Sequence, residues 1–393
     1  MNQIKNFVII TVLGVFFTSC GKKHNLTAEI EGLGKDTVFV EYVPLSQFAE
    51  EIDEPLKDTI ISINDKFTFD SPSNEPILTY FFPNKGGFKR VDGSKYFPRH
   101  KYLNLLIRPN SQITIKGKLH NYYLEYEAKG DEFNQENSQL RSKYIKEMSK
   151  GAKIELQLDT LISNKGDKEL INSLFKQRNE INNIAKKEKL KFIKNNWDKE
   201  LSAYYLTKQR LDTLGKYYEN LSPDLKNGIF KSMLESQYVR YEKHIKIIEA
   251  EKNIVEGKTA PDFILQSLSG SEFSLSSISD KIIVLDFWGS WCGWCIKGFP
   301  KMKEYYKKYK TQIEIVGIAC YDTEDKWKKS IEENKLNWQH VINNKDIDKD
   351  VSVMYGIKGY PTKIILDKDK KILAKFIGES DEFYKKLDEL LKN

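Results

Sequence analysis

The apolar residues of this chain change their spacing twice, and that change limits the architectures open to it. From about Asn25 to Gly130 they alternate with polar residues in short β-branched and aromatic runs: "LTAEIEGL", "DTVFVEYV", "LKDTIISI", "KFTFD", "ILTYFF", "YLNLLI" and "QITIKGKL". A period of two places every second side chain on one face, so these runs read as strands with a buried side. Turn residues such as Asn64-Asp65 and Pro109-Asn110 separate them, at the spacing of a small antiparallel sandwich or open barrel. From about Asp131 to Glu256 the apolar residues recur every three or four positions, as in "LINSLFKQRNEINNIAKKEKLKFIKNN" and "GIFKSMLESQYVRYEKHIKIIEAEK". The break "LSPDLKNG" predicts Ser222 as a helix N-cap with Pro223 at the first helical position. Heptads are not sustained, which favours a packed helical linker over a coiled coil; its role as spacer, dimer seam or lid stays open. From about Gly257 strands alternate with helices, then a hairpin and the helix "DEFYKKLDELLK" close the chain, as in an α/β sheet covered on both faces. The expected fold class is multidomain: an N-terminal antiparallel β domain (25–130), a central α-helical segment (131–256) and a C-terminal α/β domain (257–393).

A chain of 393 residues is long enough for two or three such domains. Its net charge of +7 comes from lysines interleaved with nearly as many acids along helix-like segments. That is a solvated surface; nucleic-acid binding wants basic residues clustered beside stacking aromatics, so no nucleic-acid partner is expected. At the N-terminus, Lys5 precedes "FVIITVLGVFF" and then "TSCGKK". A basic start, a short apolar run and small residues before a break make a secretory signal over residues 1–19, too short for a comfortable transmembrane span. Thr18-Ser19-Cys20 resembles the lipobox of bacterial lipoproteins, with Phe17 where that pattern usually has Leu. The resemblance implies a lipid anchor on Cys20, with the rest of the chain in the bacterial cell envelope facing the periplasm, on the inner or the outer membrane.

The other three cysteines are Cys292, Cys295 and Cys320. Zinc would want a second ligand pair, and neither Cys320 nor any two of the five histidines supplies one, so no metal and no cofactor is expected. A structural bridge across two residues closes almost no loop and adds little stability. What remains for Cys292 and Cys295 is a dithiol–disulfide couple. At a helix start the Cys292 sulfur faces unpaired backbone N–H groups and the positive end of the dipole, which raises its thiolate fraction. Cys295, one turn further in, is more buried, so the pair divides into an attacking and a resolving cysteine. Gly293 lets another backbone approach the sulfur.

Around this pair, "APDF" at Ala260 to Phe263, "LSSIS", the acid Asp286 six residues before Cys292 in "DFWGSWC", Pro300 and "GIKGYPTKIILD" follow one another in order. Together they resemble the thioredoxin fold, and within it the TlpA/ResA-like, AhpC/TSA-type group of membrane-anchored thiol–disulfide oxidoreductases. The long segment between Ile318 and Val351 is similar to that group as well. The strand region resembles, through "DTVFVEY" and "NDKFTFD", a β domain of unknown function that precedes thioredoxin domains in envelope lipoproteins; that likeness supplies no chemistry. The resemblance implies that Pro300 bends the active-site helix. It also implies a cis Pro361 facing the cysteines, with the backbone at Tyr360 and Pro361 pairing with an extended substrate segment. Trp291 and Trp294 are expected at an apolar rim beside the sulfur, Trp288 in the core, and Cys320 as a small buried hydrophobe. Asp286 falls within an apolar strand, where burial raises a carboxyl pKa. It reads either as the proton acceptor and donor for Cys295 or as a carboxylate tied up structurally; several relatives carry a non-acid here.

The function expected is a membrane-anchored thiol–disulfide oxidoreductase of the cell envelope. It would act on disulfide-containing envelope proteins and be re-reduced by a membrane electron donor. Trp294 replaces a proline often found before the second cysteine, and that dipeptide helps to set redox poise, so the direction stays open with a reductase preferred. The alternative is an envelope binding or scaffold lipoprotein with a vestigial redox domain, which has no need of Cys292, Asp286 and Pro361 together. A thiol peroxidase would share "APDF" but wants a Pro-x-x-x-Thr-x-x-Cys setting that "DFWGSWC" lacks.

Overall fold

The computed structural model of the protein describes residues 23–49 and 54–391. The expected leader, 1–19, and the lipidation candidate Cys20 lie outside the described residues. The early alternating runs form β1 (Leu26–Glu31), β2 (Asp36–Pro44), β3 (Leu56–Ser62), β4 (Lys66–Phe69) and β5 (Ile77–Pro83). The short β6 (Phe88–Lys89) and β7 (Lys95–Tyr96), then β8 (Leu103–Ile107), β9 (Ile113–Leu119) and β10 (Leu124–Lys129) follow. Sheets ordered β10-β9-β1-β4 and β3-β2-β5-β8 enclose a core that includes Leu26, Ile30, Val38, Phe81, Leu105 and Ile115. Asn64 and Asp65 join β3 to β4 with φ of 49° and 67°, the left-handed pair a two-residue turn requires.

One pairing departs from the antiparallel expectation: β1 and β9 are parallel, Ala28 opposite Ile115. A parallel pair needs a long crossover, and here the whole β3-β2-β5-β8 sheet lies in sequence between the two strands. Strand β10 was not among the expected runs, although Leu124, Tyr126 and Ala128 alternate inward along it.

The region of helical periodicity yields α1 (Glu132–Ser142), α2 (Ile145–Ser163), α3 (Lys168–Asn195), α4 (Glu200–Thr207), α5 (Leu211–Tyr217), α6 (Pro223–Lys226) and α7 (Lys231–Glu251). Helices α2 and α3 pack through Ile154, Leu158 and Leu174. Ser222 caps α6 by accepting from the Leu225 N–H, with Pro223 at the first position. The chain forms two compact units: one holds residues up to Gln209 with Glu219–Glu235, the other Arg210–Tyr218 with Ser236 onward. The helical stretch is thus divided, and most of α7 belongs to the C-terminal unit.

That unit contains β11 (Ile264–Ser267), β12 (Glu272–Ser274), β13 (Ile282–Trp288), α8 (Gly293–Tyr309), β14 (Ile313–Ala319), α9 (Glu324–Asn334), β15 (Gln339–Ile342), α10 (Val351–Met354), β16 (Thr362–Leu366), β17 (Ile372–Ile377) and α11 (Asp381–Leu391). Its sheet runs β12-β11-β15-β14-β13-β16-β17, with β13, β14 and β15 parallel and β16 and β17 antiparallel. β13 has sheet neighbours on both sides and is covered on both faces, which is why its sequence is an almost continuous apolar run. Val284 and Trp288 face a core shared with Phe299 and Met302 of α8 and Phe383 of α11. Ile283, Leu285 and Phe287 face the opposite core with Tyr355 and Ile364. By the same alternation Asp286 points to the α8 side.

Candidate active site

The last residue of β13, Trp288, leads into a short loop that delivers Cys292 to the N-cap of α8. The Cys292 sulfur accepts the backbone N–H of Cys295 at 3.2 Å, one of the helix-end donors that have no partner within the helix. Cys292 is 6% exposed and Cys295 3%, and a disulfide joins them. A Cβ added at Gly293 would meet nothing within 4 Å, so the first residue of the helix leaves open space beside the pair.

Ser290 and Asp322, which sequence reading did not single out, help to fix the loop. Ser290 donates its N–H and its hydroxyl to the two oxygens of buried Asp322, each at 2.7 Å. The Trp291 indole N–H donates to the Cys320 carbonyl at 3.0 Å, in space left by Gly289, where a Cβ would lie 2.4 Å from that nitrogen. Asp322 was invisible because its partner lies 32 residues away on another element.

The Tyr360–Pro361 peptide is cis. Strand β16 runs antiparallel to β13 with Thr362 opposite Phe287, which brings Tyr360 and Pro361 to the end of the sheet where β13 turns toward Cys292. Trp291 meets Tyr360 edge-on, ring centroids 5.4 Å apart, and Tyr321 meets it at 6.1 Å. Trp291 and Tyr321 are largely exposed, so the three rings make an aromatic surface next to the cysteines. Trp294 stands in the first turn of α8, 67% exposed, with the Lys297 ammonium 4.6 Å from its ring. Tyr321 adopts a left-handed φ of 53°, and the Lys243 ammonium from α7 lies 4.4 Å above its ring. Lys243 also donates to buried Asp350 at 2.6 Å. The helical stretch therefore reaches the flank of this surface, which its spacing alone did not reveal.

Asp286 is fully buried, and its Oδ1 accepts no hydrogen bond. Lys363, opposite it on β16, is 3.6 Å away: too far for a hydrogen bond, near enough for attraction. The Lys363 ammonium is instead 2.8 Å from Glu379, whose other oxygen accepts from the Tyr384 hydroxyl at 2.8 Å. Burial pushes the Asp286 carboxyl above the ordinary carboxylate range; Lys363 pulls it down and Glu379 pushes it up. Cys320 is buried, donates weakly to the Ile318 carbonyl at 3.6 Å, and burial pushes its thiol well above the usual range.

A mixed sheet covered on both faces, with a Cys-x-x-Cys pair opening the helix after a buried strand and a cis-proline turn at the same sheet end, defines a thioredoxin-fold thiol–disulfide protein. Residues 256–375 match the model of the AhpC/TSA family. The chain is 35% identical over 126 residues to a thiol–disulfide oxidoreductase ResA of Bacillus cereus, covering 31% of this chain and 70% of that protein. It is 31% identical over 167 residues to the thioredoxin-like protein YneN of Bacillus subtilis, covering 41% of this chain and 95% of the relative. A solved thioredoxin domain of a thiol–disulfide oxidoreductase from Bacteroides vulgatus is 34% identical, covers 35% of this chain and 98% of its own, and superposes with a TM-score of 0.33. The chain belongs to the ResA-like thiol–disulfide oxidoreductases of the AhpC/TSA family.

Proposed function

We propose that the protein reduces disulfides of envelope proteins, tethered to a membrane through lipid on Cys20. The Cys292 thiolate attacks one sulfur of a substrate disulfide; the substrate S–S bond breaks and a mixed disulfide forms. Cys295 then gives its proton to the Asp286 carboxylate and attacks the Cys292 sulfur, releasing the second substrate thiolate. The substrate gains two electrons and, from solvent, two protons, and the chain ends as the Cys292–Cys295 disulfide. A membrane electron donor of the thiol class returns those electrons. The observation that carries this reading is the Cys292 sulfur at the α8 N-terminus, held by the Cys295 N–H at 3.2 Å, where the helix favours thiolate. Trp291, Trp294, Tyr360 and Pro361 form the surface that receives the substrate segment. The leader before Cys20 supports an envelope location, and among the described residues no helix is long and apolar enough to cross a membrane.

Cys295→Ser in the native envelope tests the mechanism. Mixed disulfides are expected to accumulate on Cys292, and mass spectrometry of the trapped adducts names the substrates. If nothing is trapped and Cys292→Ser leaves envelope thiol status unchanged, the domain is not an exchanger of protein disulfides.

A further inference from the structure

The surroundings of Asp286 carry an inference that rests on its reading as the acid–base partner of Cys295. Asp286 and Lys363 are cross-strand neighbours on the face of β13 that meets α8. The Lys363 side chain is 3% exposed and that of Asp286 2%, while Glu379 retains 21%. Two glycines put Glu379 in place. Gly378, with φ of +84°, turns the chain out of β17, and its N–H donates to the Pro361 carbonyl at 2.7 Å. Gly298 lies three residues after Cys295, on the same side of α8. A Cβ there would fall 2.4 Å from Glu379 Oε2. The missing side chain is thus a notch in the active-site helix, and a carboxylate stands in it.

We propose that Glu379 is a positioning residue for the redox step: seated in the Gly298 notch, it holds the Lys363 ammonium away from Asp286 and so keeps Asp286 a proton donor for Cys295. Two carboxyls share one cation, and a buried anion without compensation is costly, so one carboxyl carries a proton. Glu379 has hydrogen bonds from Lys363 and Tyr384 and some contact with water; Asp286 Oδ1 has none. In the oxidised chain the proton therefore sits on Asp286. Cys320 lies in the opposite core; the other titratable groups on the Asp286 face are Tyr384 of α11, His340 of β15 and the cysteine pair on α8, and burial keeps Tyr384 and His340 neutral. Its neighbour on β14, Gly317, has no side chain.

The consequence falls on the opening of the Cys292–Cys295 disulfide present here. An external dithiol attacks the Cys292 sulfur through one thiolate, the S–S bond breaks, and Cys295 leaves as thiolate and takes the Asp286 proton. The second thiol of the reductant then closes on the mixed disulfide, freeing Cys292. Two electrons pass from the dithiol to the protein, the dithiol's protons go to solvent, and Asp286 is left as the carboxylate that takes the Cys295 proton back when a substrate is next reduced.

The test follows reduction of the oxidised full chain by dithiothreitol across pH, read by tryptophan fluorescence and expressed relative to the wild type at each pH. Glu379→Gln frees Lys363 to bond Asp286, so the alkaline fall of the Asp286-dependent rate is expected to move about one pH unit toward acid, up to about a tenfold loss within that window. Gly298→Ala is expected to reproduce the shift, because it displaces the carboxylate while improving helix propensity. In an Asp286→Asn background, Glu379→Gln is expected to change nothing further. If Asp286→Asn slows reduction but Glu379→Gln and Gly298→Ala track the wild type, the role given to Glu379 is wrong and that of Asp286 stands. If the Glu379→Gln shift survives in Asp286→Asn, Glu379 acts on the cysteines directly and the proposal is overturned. If Asp286→Asn leaves the profile untouched, the reading of Asp286 falls, and this inference with it.

Discussion

Replacing Asp286 by asparagine removes a buried ionisable carboxyl but keeps its shape, and the structure gives the sign of the effect on stability. Oδ1 accepts no hydrogen bond, and the neighbouring ammonium is bonded to Glu379 instead. Burial therefore raises the carboxyl pKa in the folded protein. Between the ordinary carboxylate value of about 4 and that raised value, the folded chain holds a proton that the unfolded chain has released. Stability accordingly falls as pH rises through this window and stays lower above it. In Asp286→Asn the fall is absent, while Lys363 and Glu379 remain as a matched pair. Each pH unit over which the folded chain keeps that proton is worth about 1.4 kcal/mol, so the oxidised variant is expected to gain stability near pH 8 and close to nothing near pH 4. Urea unfolding followed by tryptophan fluorescence suits the measurement. Trp288, Trp291, Trp294, Trp327 and Trp338, five of the six tryptophans, lie in the unit that holds Asp286. An equal gain at both pH values, or a loss near pH 8, would refute the argument from charge.

Two further outcomes test the packing around the site. In the reduced chain with Cys20→Ser, an alkylating reagent is expected to label Cys292 under native conditions and Cys320 only after unfolding; native labelling of Cys320, by mass spectrometry, would contradict its burial and raised pKa. Gly356 has φ of +59°, and a Cβ there would fall 2.7 Å from the backbone nitrogen of Glu251 at the end of α7. The left-handed backbone alone costs a non-glycine residue about 1–2 kcal/mol, so Gly356→Ala is expected to lower unfolding stability by at least that much, and an unchanged midpoint would mean that the end of α7 yields freely.

The Cys292–Cys295 pair at a helix start was legible from sequence because its parts are local. Cys292 and Cys295 lie within one helical turn, and "IIVLDFW" announces a buried strand directly before them. Cis Pro361 was legible through family likeness, since nothing in its own spacing distinguishes cis from trans. Ser222 and Pro223 were read correctly because a helix cap is decided within four residues. The parallel β1–β9 pair was not legible, because strand direction depends on where the chain returns after about eighty residues and not on the alternation of either strand.

The sequence by itself determined how the segments around Cys292 and Cys295 are built, since periodicity, capping and the Cys-x-x-Cys spacing act over a few residues. Only the tertiary structure decided their company. Asp322 under the Ser290 loop, Lys243 over Tyr321, and Glu379 in the notch at Gly298 join segments distant in the chain. Burial raises the pKa of the Asp286 carboxyl and of the Cys320 thiol, and burial is a property of the packed core rather than of any segment within it.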